Sequence, residues 1–240
     1  MEEKSLTQLY HCTEYSSLCS ILSSRRFLPS YCLEDLSVFP KEIMKMAYAV
    51  ICFADLMEVE RDRHMKQFGA DSYIIMKKEW ALRKSVSPIV YYHDKSFLAE
   101  ILNNIIAFAA ERYLQMGQPE DDKFCNSVML LMGYLKQYEG RYLIKKTDKY
   151  SEITQFYNER EWRYIPSVTQ NEAFYLDEDD YKNEALVKQK KQELIDNGLV
   201  LSFELDDIIE VGIPLSRKED FERELQKDHI LYDIIKIRYM

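Results

Sequence analysis

Short apolar runs rich in β-branched and aromatic residues most constrain how this chain can fold. Residues 47–53, 72–76 and 88–92 each combine strand-favouring side chains over the length of one buried strand. They precede residues 96–116, where apolar side chains recur about every 3.6 residues, as they do on one face of a helix. The chain is therefore expected to bury several short strands against at least one long amphipathic helix.

The other predicted elements follow in an irregular order, which argues against a regular β-α-β fold. Further helices are predicted at residues 15–25, 126–138, 181–197 and 216–227. Further strands are predicted at residues 9–13, 141–144, 161–165, 199–203, 208–213 and 234–238, with an acidic solvated loop at 172–180. The predicted fold class is α+β, with a mixed or antiparallel sheet, flanking helices and a helical hairpin insert at about 96–138. A length of 240 residues suits one domain over 1–240.

Composition and missing motifs exclude several classes of protein. With 32 basic and 41 acidic residues, the net charge of −9 argues against a globally basic nucleic-acid binder, although a local nucleic-acid target stays open. The glycine patterns of Rossmann dehydrogenases and P-loop NTPases are absent. Five scattered cysteines include no C-x-x-C pair, so no metal is expected. No apolar run suits a membrane span or a signal peptide, which predicts a cytoplasmic protein without membrane attachment.

His11, Thr13 and Tyr31 are the first candidate binding residues. His11 and Thr13 are two apart in a predicted strand, so both side chains point to one face and can offer an imidazole and a hydroxyl to one ligand, for example a ribose. Equally, a backbone carbonyl can satisfy His11 while Thr13 caps the following helix. Tyr31 can stack on a flat ligand or close the core.

Glu159 and Glu161 are the candidate catalytic residues. On a continuous strand they share a face with Arg163, while Trp162 points to the other face. A carboxylate beside an arginine can orient a substrate hydroxyl and stabilise a developing cation. The alternative is a structural Glu–Arg pair on the sheet, with Trp162 in the core.

A series of blocks, read in order, resembles the AbiGi family of abortive phage resistance proteins. The blocks are Leu9–Thr13, Leu18–Leu22, Pro29–Asp35, Cys52–Asp55, Phe68–Gly69, Lys77–Ala81 and Phe156–Tyr164. The resemblance covers roughly residues 9–166, and the C-terminal third more loosely. It implies a role in phage defence as the regulatory, antitoxin-type component of a two-component system. A partner toxin or a phage component would then be its binding partner.

The opening of the chain also resembles DarT-like DNA ADP-ribosyltransferases and RNA 2′-phosphotransferases. H-x-T at residues 11–13 is followed by a helix that reads L-x-x-I-L at residues 18–22. This resemblance implies an ADP-ribosyltransferase-like scaffold. The chain departs from the pattern because no early arginine clearly matches the phosphate-binding position; Arg25 and Arg26 are the nearest.

The same resemblance implies roles for the candidate residues. His11 and Thr13 would bind NAD, Tyr31 would lie beside the nicotinamide, and Glu161 would be the catalytic carboxylate that supports an oxocarbenium-like transition state, with Glu159 as its rival. An active NAD-dependent ADP-ribosyltransferase that modifies nucleic acid or protein is thus the alternative to the regulatory interpretation.

Overall fold

The structure is a computed structural model that describes residues 7–36, 45–116, 122–141, 143–144, 149–166, 174–227 and 235–240. Helices in these ranges are α1 (Tyr15–Ser24), α2 (Glu58–Phe68), α3 (Lys78–Arg83), α4 (Phe97–Gln115), α5 (Lys123–Gly133), α6 (Glu178–Lys182), α7 (Glu184–Asp196) and α8 (Lys218–Lys227). Strands are β1 (Gln8–Thr13), β2 (Arg26–Phe27), β3 (Ser30–Asp35), β4 (Lys45–Ala54), β5 (Ser72–Lys77), β6 (Ser87–Pro88), β7 (Val90–Tyr92), β8 (Leu135–Gln137), β9 (Glu139–Gly140), β10 (Leu143–Ile144), β11 (Lys149–Tyr150), β12 (Thr154–Gln155), β13 (Glu161–Tyr164), β14 (Tyr175–Asp177), β15 (Leu201–Ser202), β16 (Ile208–Ile213) and β17 (Lys236–Tyr239).

A mixed sheet forms the centre of the fold. Seven of its strands follow the order β17-β16-β5-β1-β4-β13-β6, and β3 and β14 also pair with β4. The pairings are antiparallel except that β16 and β17 run parallel. Strand β4 is the hub, because its first half pairs with β3 and β14 and its second half with β1 and β13. The predicted α+β class with a mixed sheet is confirmed.

The two faces of this sheet bury different side chains. Alternate residues of a strand point to opposite faces, so Ile51 and Phe53 of β4 lie on one side and Val50 and Cys52 on the other. The first side, which we call the aromatic face, packs against α1, α3 and α8. The second side, which we call the charged face, packs against α4 and α5. Each helix thus turns its own apolar side chains toward the sheet face that it covers.

The α4–α5 hairpin has capped ends and one buried row. The side chains of α4 that pack on the charged face recur at helical spacing and form its buried row: Ala99, Leu102, Ile106 and Ala109. Ser96 caps α4 by accepting a hydrogen bond from the Ala99 amide at 3.2 Å. Asp122 caps α5 through the Phe124 amide at 2.9 Å and pairs with Arg112 of α4 at 2.7 Å. Within the described ranges, none of the helices combines the length and apolarity needed to cross a membrane.

Several of the described segments differ from the prediction. The helix expected over 126–138 ends at Gly133, and the chain turns into β8, which pairs in parallel with β7. In the described part of 172–180, β14 and α6 replace the expected loop. Asp177 caps α6 by accepting from the Asp180 amide at 2.8 Å, and acidic residues in a first turn interact favourably with the helix dipole. The predicted elements also included residues 142, 172–173 and 234, which lie outside the described ranges.

The predicted helix over 181–197 is divided in two. Asn183 ends α6 and caps α7, its side chain accepting from the Leu186 amide at 3.2 Å. Gly198 follows α7 with a positive φ of 72°, as expected of a glycine after a helix, and its amide donates to Ile195. The expectation of one domain over 1–240 stays a prediction.

Candidate functional site

Five charged side chains meet on the charged face at the base of the α4–α5 hairpin. They are Glu34, Lys136, Glu159, Glu161 and Arg163, and we call them the buried cluster. Three carboxylates and two cations leave one negative charge in excess. Charges withdrawn from water are tolerated only when they are paired and hydrogen-bonded, so the pairing decides what this cluster can do.

Arg163 is the centre of the cluster and is only 1% exposed. Its Nε donates to Glu161 Oε1 at 2.6 Å, its Nη1 donates to the Gly133 carbonyl at 2.7 Å, and its Nη2 pairs with Glu34. Burial alone would lower the pKa of Arg163, but the carboxylates of Glu161 and Glu34 outweigh burial and raise it. One guanidinium therefore ties together β3, β13 and the end of α5.

The contact between Arg163 and Glu34 joins two distant positions along β4. Arg163 lies opposite Cys52 and Glu34 lies opposite Met46, at well-separated positions along β4. On a flat sheet six residues span about 20 Å, farther than the two side chains can reach together. The sheet is therefore not flat between these two positions, and its twist or bend brings the two side chains together.

Lys136 bridges the two glutamates. From β8, its Nζ lies 2.7 Å from Glu159 Oε2 and 2.9 Å from Glu161 Oε2. Burial opposes charge on Glu161, but Arg163 and Lys136 outweigh burial and lower the pKa of that carboxyl. Burial dominates at Glu159 and raises its pKa, although Lys136 acts in the opposite direction. The pKa values of the two carboxyl groups are therefore shifted in opposite directions, although both groups contact Lys136.

Glu159 and Glu161 reach Lys136 by a backbone route that differs from the prediction. Glu159 ends a 3-10 turn at residues 156–159, and the strand begins only at Glu161. Arg160, between them, has a positive φ of 42°. The Glu161 amide donates to the Tyr91 hydroxyl at 3.0 Å. The turn, rather than a continuous strand, brings both carboxylates to one side.

His11 lies on the aromatic face. Its ring packs against Phe27 and Phe53, with centroid distances of 5.0 and 5.5 Å. Its Nδ1 lies 2.8 Å from the Cys52 carbonyl. Because a carbonyl only accepts, Nδ1 carries the proton and donates. Burial lowers the pKa of His11, so the ring is held neutral.

Thr13 and Tyr31 lie on the same face as His11. Thr13 is two residues beyond His11 at the end of β1, opposite Ser72. The N-cap residue of α1 is Glu14, so Thr13 does not occupy the cap position. Tyr31 is buried in a cluster with Ala49 and Leu194. Alternation along β4 places Ala49 on the side of Ile51, which is the aromatic face.

The structure therefore divides the predicted site. His11, Thr13 and Tyr31 lie on the aromatic face, whereas Glu159 and Glu161 belong to the buried cluster on the charged face. The side chains of His11 and Glu161 therefore point to opposite faces of the sheet. The proposed roles of these residues in NAD binding and catalysis stay predictions.

Two surface grooves lie beside α1, and the second is lined in part by Glu14, which directly follows Thr13. One, of about 250 Å³, runs between α1 and α8 and is lined in part by Ser23 and Phe221. The other, of about 700 Å³, lies at the start of α1 and is lined in part by Tyr15, Asp71 and Arg217. Neither is lined by a predicted site residue.

Sequence reasoning missed Lys136 and Glu34. Lys136 fell inside the predicted helix 126–138, where a lysine is expected to be solvated. Gly133 was the available signal, because a glycine that ends a helix would have moved Lys136 onto a strand. Glu34 follows Tyr31 and Cys32 on a strand that was not predicted.

Comparison with known proteins identifies the class. The family model described as "Putative abortive phage resistance protein AbiGi, antitoxin" matches residues 25–214, and the chain belongs to this AbiGi family. The match contains the whole buried cluster but excludes His11 and Thr13. "Abortive phage resistance protein AbiGi" of Lactococcus lactis subsp. cremoris is 28% identical over 220 residues, covering 80% of this chain and 85% of its own length. No solved structure matches this chain. The resemblance to the AbiGi family is confirmed.

Proposed function

We propose that this protein is the antitoxin-type component of an abortive-infection pair and that it acts by binding a partner rather than by catalysis. The observation that carries the proposal is the state of Glu161, whose two carboxylate oxygens are taken by Arg163 and Lys136. A catalytic carboxylate needs an oxygen that can reach substrate. Membership of the AbiGi family supports the phage-defence role.

The charge of the chain supports a basic partner. The net charge of −9 favours encounter with a positively charged surface. Acidic side chains are concentrated at the start of α6, where Glu178, Asp179 and Asp180 follow the capping Asp177. A partner toxin with a basic surface fits this chemistry, and a phage component is the other partner class.

The test is depletion of this chain in its natural host. An antitoxin must be present to keep its toxin silent, so depletion should arrest growth, and expression of the wild-type chain should restore it. Expression of this chain alone in a neutral host should leave growth unchanged. Toxicity of the chain alone, together with harmless depletion, would contradict the proposal and favour an active enzyme.

NAD binding decides the alternative of an active ADP-ribosyltransferase that modifies nucleic acid or protein. The proposal expects calorimetric titration with NAD to give no saturable heat, because His11 and Glu161 lie on opposite faces of the sheet. The matched control is His11→Ala. Saturable binding to wild type that His11→Ala abolishes would make NAD the cofactor and overturn the non-catalytic proposal.

A further inference from the structure

Helix α4 exposes a row of apolar side chains on the side opposite its buried row. Phe97 is 85% exposed, Ile101 55% and Phe108 59%. The Phe108 ring also meets the ring of Phe124 on α5, with centroids 5.7 Å apart. We call Phe97, Ile101, Phe108 and Phe124 the apolar row.

The spacing of the apolar row makes it more than scattered exposure. Phe97 and Ile101 are four residues apart, and Phe108 follows two turns later, so all three lie on one side of the helix. Together they run about 17 Å along α4. Single exposed apolar residues need no explanation, but a row of them on one helix face indicates an interaction surface.

Hydrogen bonds and helix caps anchor the hairpin that carries the row. Arg163 binds the Gly133 carbonyl at the end of α5, and Lys136 follows three residues later in the buried cluster. Ser96 and Asp122 cap the two helices of the hairpin. A partner that binds a fixed surface loses less conformational entropy than one that must order it.

One edge of the row is acidic. On a helix of 3.6 residues per turn, Glu100 and Glu111 lie along the same edge, beside Ile101 and Phe108 respectively. Neither carboxylate forms an ion pair with any residue in the described ranges; Glu111 accepts a hydrogen bond from Gln115 at 2.8 Å. This edge therefore presents negative charge that no cation of the described chain neutralises.

We propose that the apolar row is the docking surface for an amphipathic, basic helix of the partner toxin. Apolar side chains of that helix pack against Phe97, Ile101 and Phe108, while its lysine or arginine side chains face Glu100 and Glu111. The proposal rests on the proposed function, because it assigns a surface to the partner that the function requires.

Charge argues against a second copy of this chain as the occupant. An antiparallel pairing of α4 with itself that is centred between residues 104 and 105 sets Ile101 of one copy against Phe108 of the other. The same operation brings Glu100 of one copy beside Glu111 of the other, on the same edge. Like charges in this arrangement disfavour self-association and favour a basic partner.

The test uses two synthetic helical peptides of about 18 residues as probes. Both carry leucines at the spacing of the apolar row, one with lysine and one with glutamate along the edge, and binding is measured by fluorescence anisotropy. We expect the lysine peptide to bind wild type more tightly than the glutamate peptide. Phe97→Asp should weaken binding at least about tenfold, because an anchoring aromatic side chain is lost. An aspartate in the first turn of α4 favours the helix, so this variant should fold.

Two further variants complete the test. Glu100→Lys combined with Glu111→Lys should reverse the preference between the two peptides. The matched control is Val59→Asp on α2, since Val59 is also 85% exposed but lies outside the row. Equal binding of both peptides, or equal loss in Phe97→Asp and Val59→Asp, would overturn the proposal. A wild-type dimer in light scattering that Phe97→Asp dissociates would overturn it in favour of a second copy.

The same variants separate this proposal from the function on which it rests. In the depletion assay, failure of the wild-type chain to restore growth refutes the antitoxin function, whatever the peptides show. If wild type restores growth and Phe97→Asp restores it equally well, the function stands and the docking surface is wrong. Loss of rescue in Phe97→Asp but not in Val59→Asp supports both.

Discussion

The two faces of the central sheet bury titratable groups in opposite ways. On the aromatic face His11 lies among Phe27 and Phe53, with one hydrogen bond to a backbone carbonyl, and burial holds it neutral. On the charged face Glu161 and Arg163 are less exposed than His11, yet both stay charged because each neutralises the other. Strand β4 contributes to both environments through alternate residues.

The difference shows how this fold limits the cost of burying polar groups. A neutral imidazole needs only one partner, so an aromatic environment suffices. A buried charge needs several partners, so the charged face gathers them from β3, β8 and β13. The stability that the buried cluster contributes should therefore fall when any one of its members is removed. The stability that His11 contributes on the aromatic face should instead vary mainly with pH.

Arg163→Met should have the largest effect. The substitution keeps much of the side-chain volume but leaves Glu161 and Glu34 without their shared cation and the Gly133 carbonyl without a donor. Removal of one member of a buried ion pair costs about 3–5 kcal/mol. We expect the free energy of unfolding in urea to fall by about that amount.

The matched control is Arg223→Met on α8. Arg223 pairs with Asp220 at 2.8 Å, but its side chain is 64% exposed. Such a surface pair contributes about 0–1 kcal/mol. If the two arginine variants lose the same stability, the charged face does not depend on its buried cluster.

Lys136→Met should have the second-largest effect and should loosen the base of the hairpin. Glu161 keeps Arg163, but among the described residues Glu159 keeps only the amide of Gln67, at 3.4 Å. Leaving a buried charged group poorly paired should cost about 2–3 kcal/mol, measured by urea unfolding. Hydrogen exchange should show faster opening of α5 than in wild type.

A double-mutant cycle sharpens this prediction. In Lys136→Met combined with Glu159→Gln, the lost cation is matched by a lost carboxylate, so part of the stability should return. Additive losses in the double variant would show that Lys136 and Glu159 are not coupled, in conflict with the 2.7 Å distance between them.

Much of the fold followed from local pattern. The strand over 72–76 and the helix over 96–116 were predicted nearly in full, because their apolar residues repeat at the periods of a strand and a helix. The prediction of a loop at 172–180 was wrong, because it interpreted the negative charge of this segment as a sign of a solvated loop. The structure shows there a capped first turn, which also favours acidic residues.

The candidate site was harder to predict because it depends on contacts distant in sequence. Glu159, Glu161 and Arg163 are close in the chain and were singled out together. Their partners Glu34 and Lys136 come from β3 and β8, which local pattern did not predict. Whether His11 and Glu161 lie on the same face depends on strand pairing. Tyr10 and Glu161 both lie opposite Ala54 and point to one face, so His11, next to Tyr10, points to the other. A single sequence does not contain that register.

The smallest of the predicted effects is a difference between the two faces in how the free energy of unfolding depends on pH. The pKa of His11 is lowered by burial, so the unfolded chain binds a proton first and stability falls as pH drops below about 6.5. The pKa of Glu161 is also lowered, so its contribution is lost only below about 4.3. Between pH 7 and 5.5, His11 should therefore lower the free energy of unfolding, by at most about 1 kcal/mol.

His11→Gln tests this window, because glutamine can still donate to the Cys52 carbonyl but does not titrate. The difference in unfolding free energy between pH 7 and 5.5 should shrink in this variant, by at most about 1 kcal/mol. His64 needs a control, since burial lowers its pKa to about 4 and it titrates with the same sign. His64→Gln should remove a separate portion of the same slope. If His11→Gln leaves the slope unchanged, His11 is not the neutral buried group that distinguishes the aromatic face.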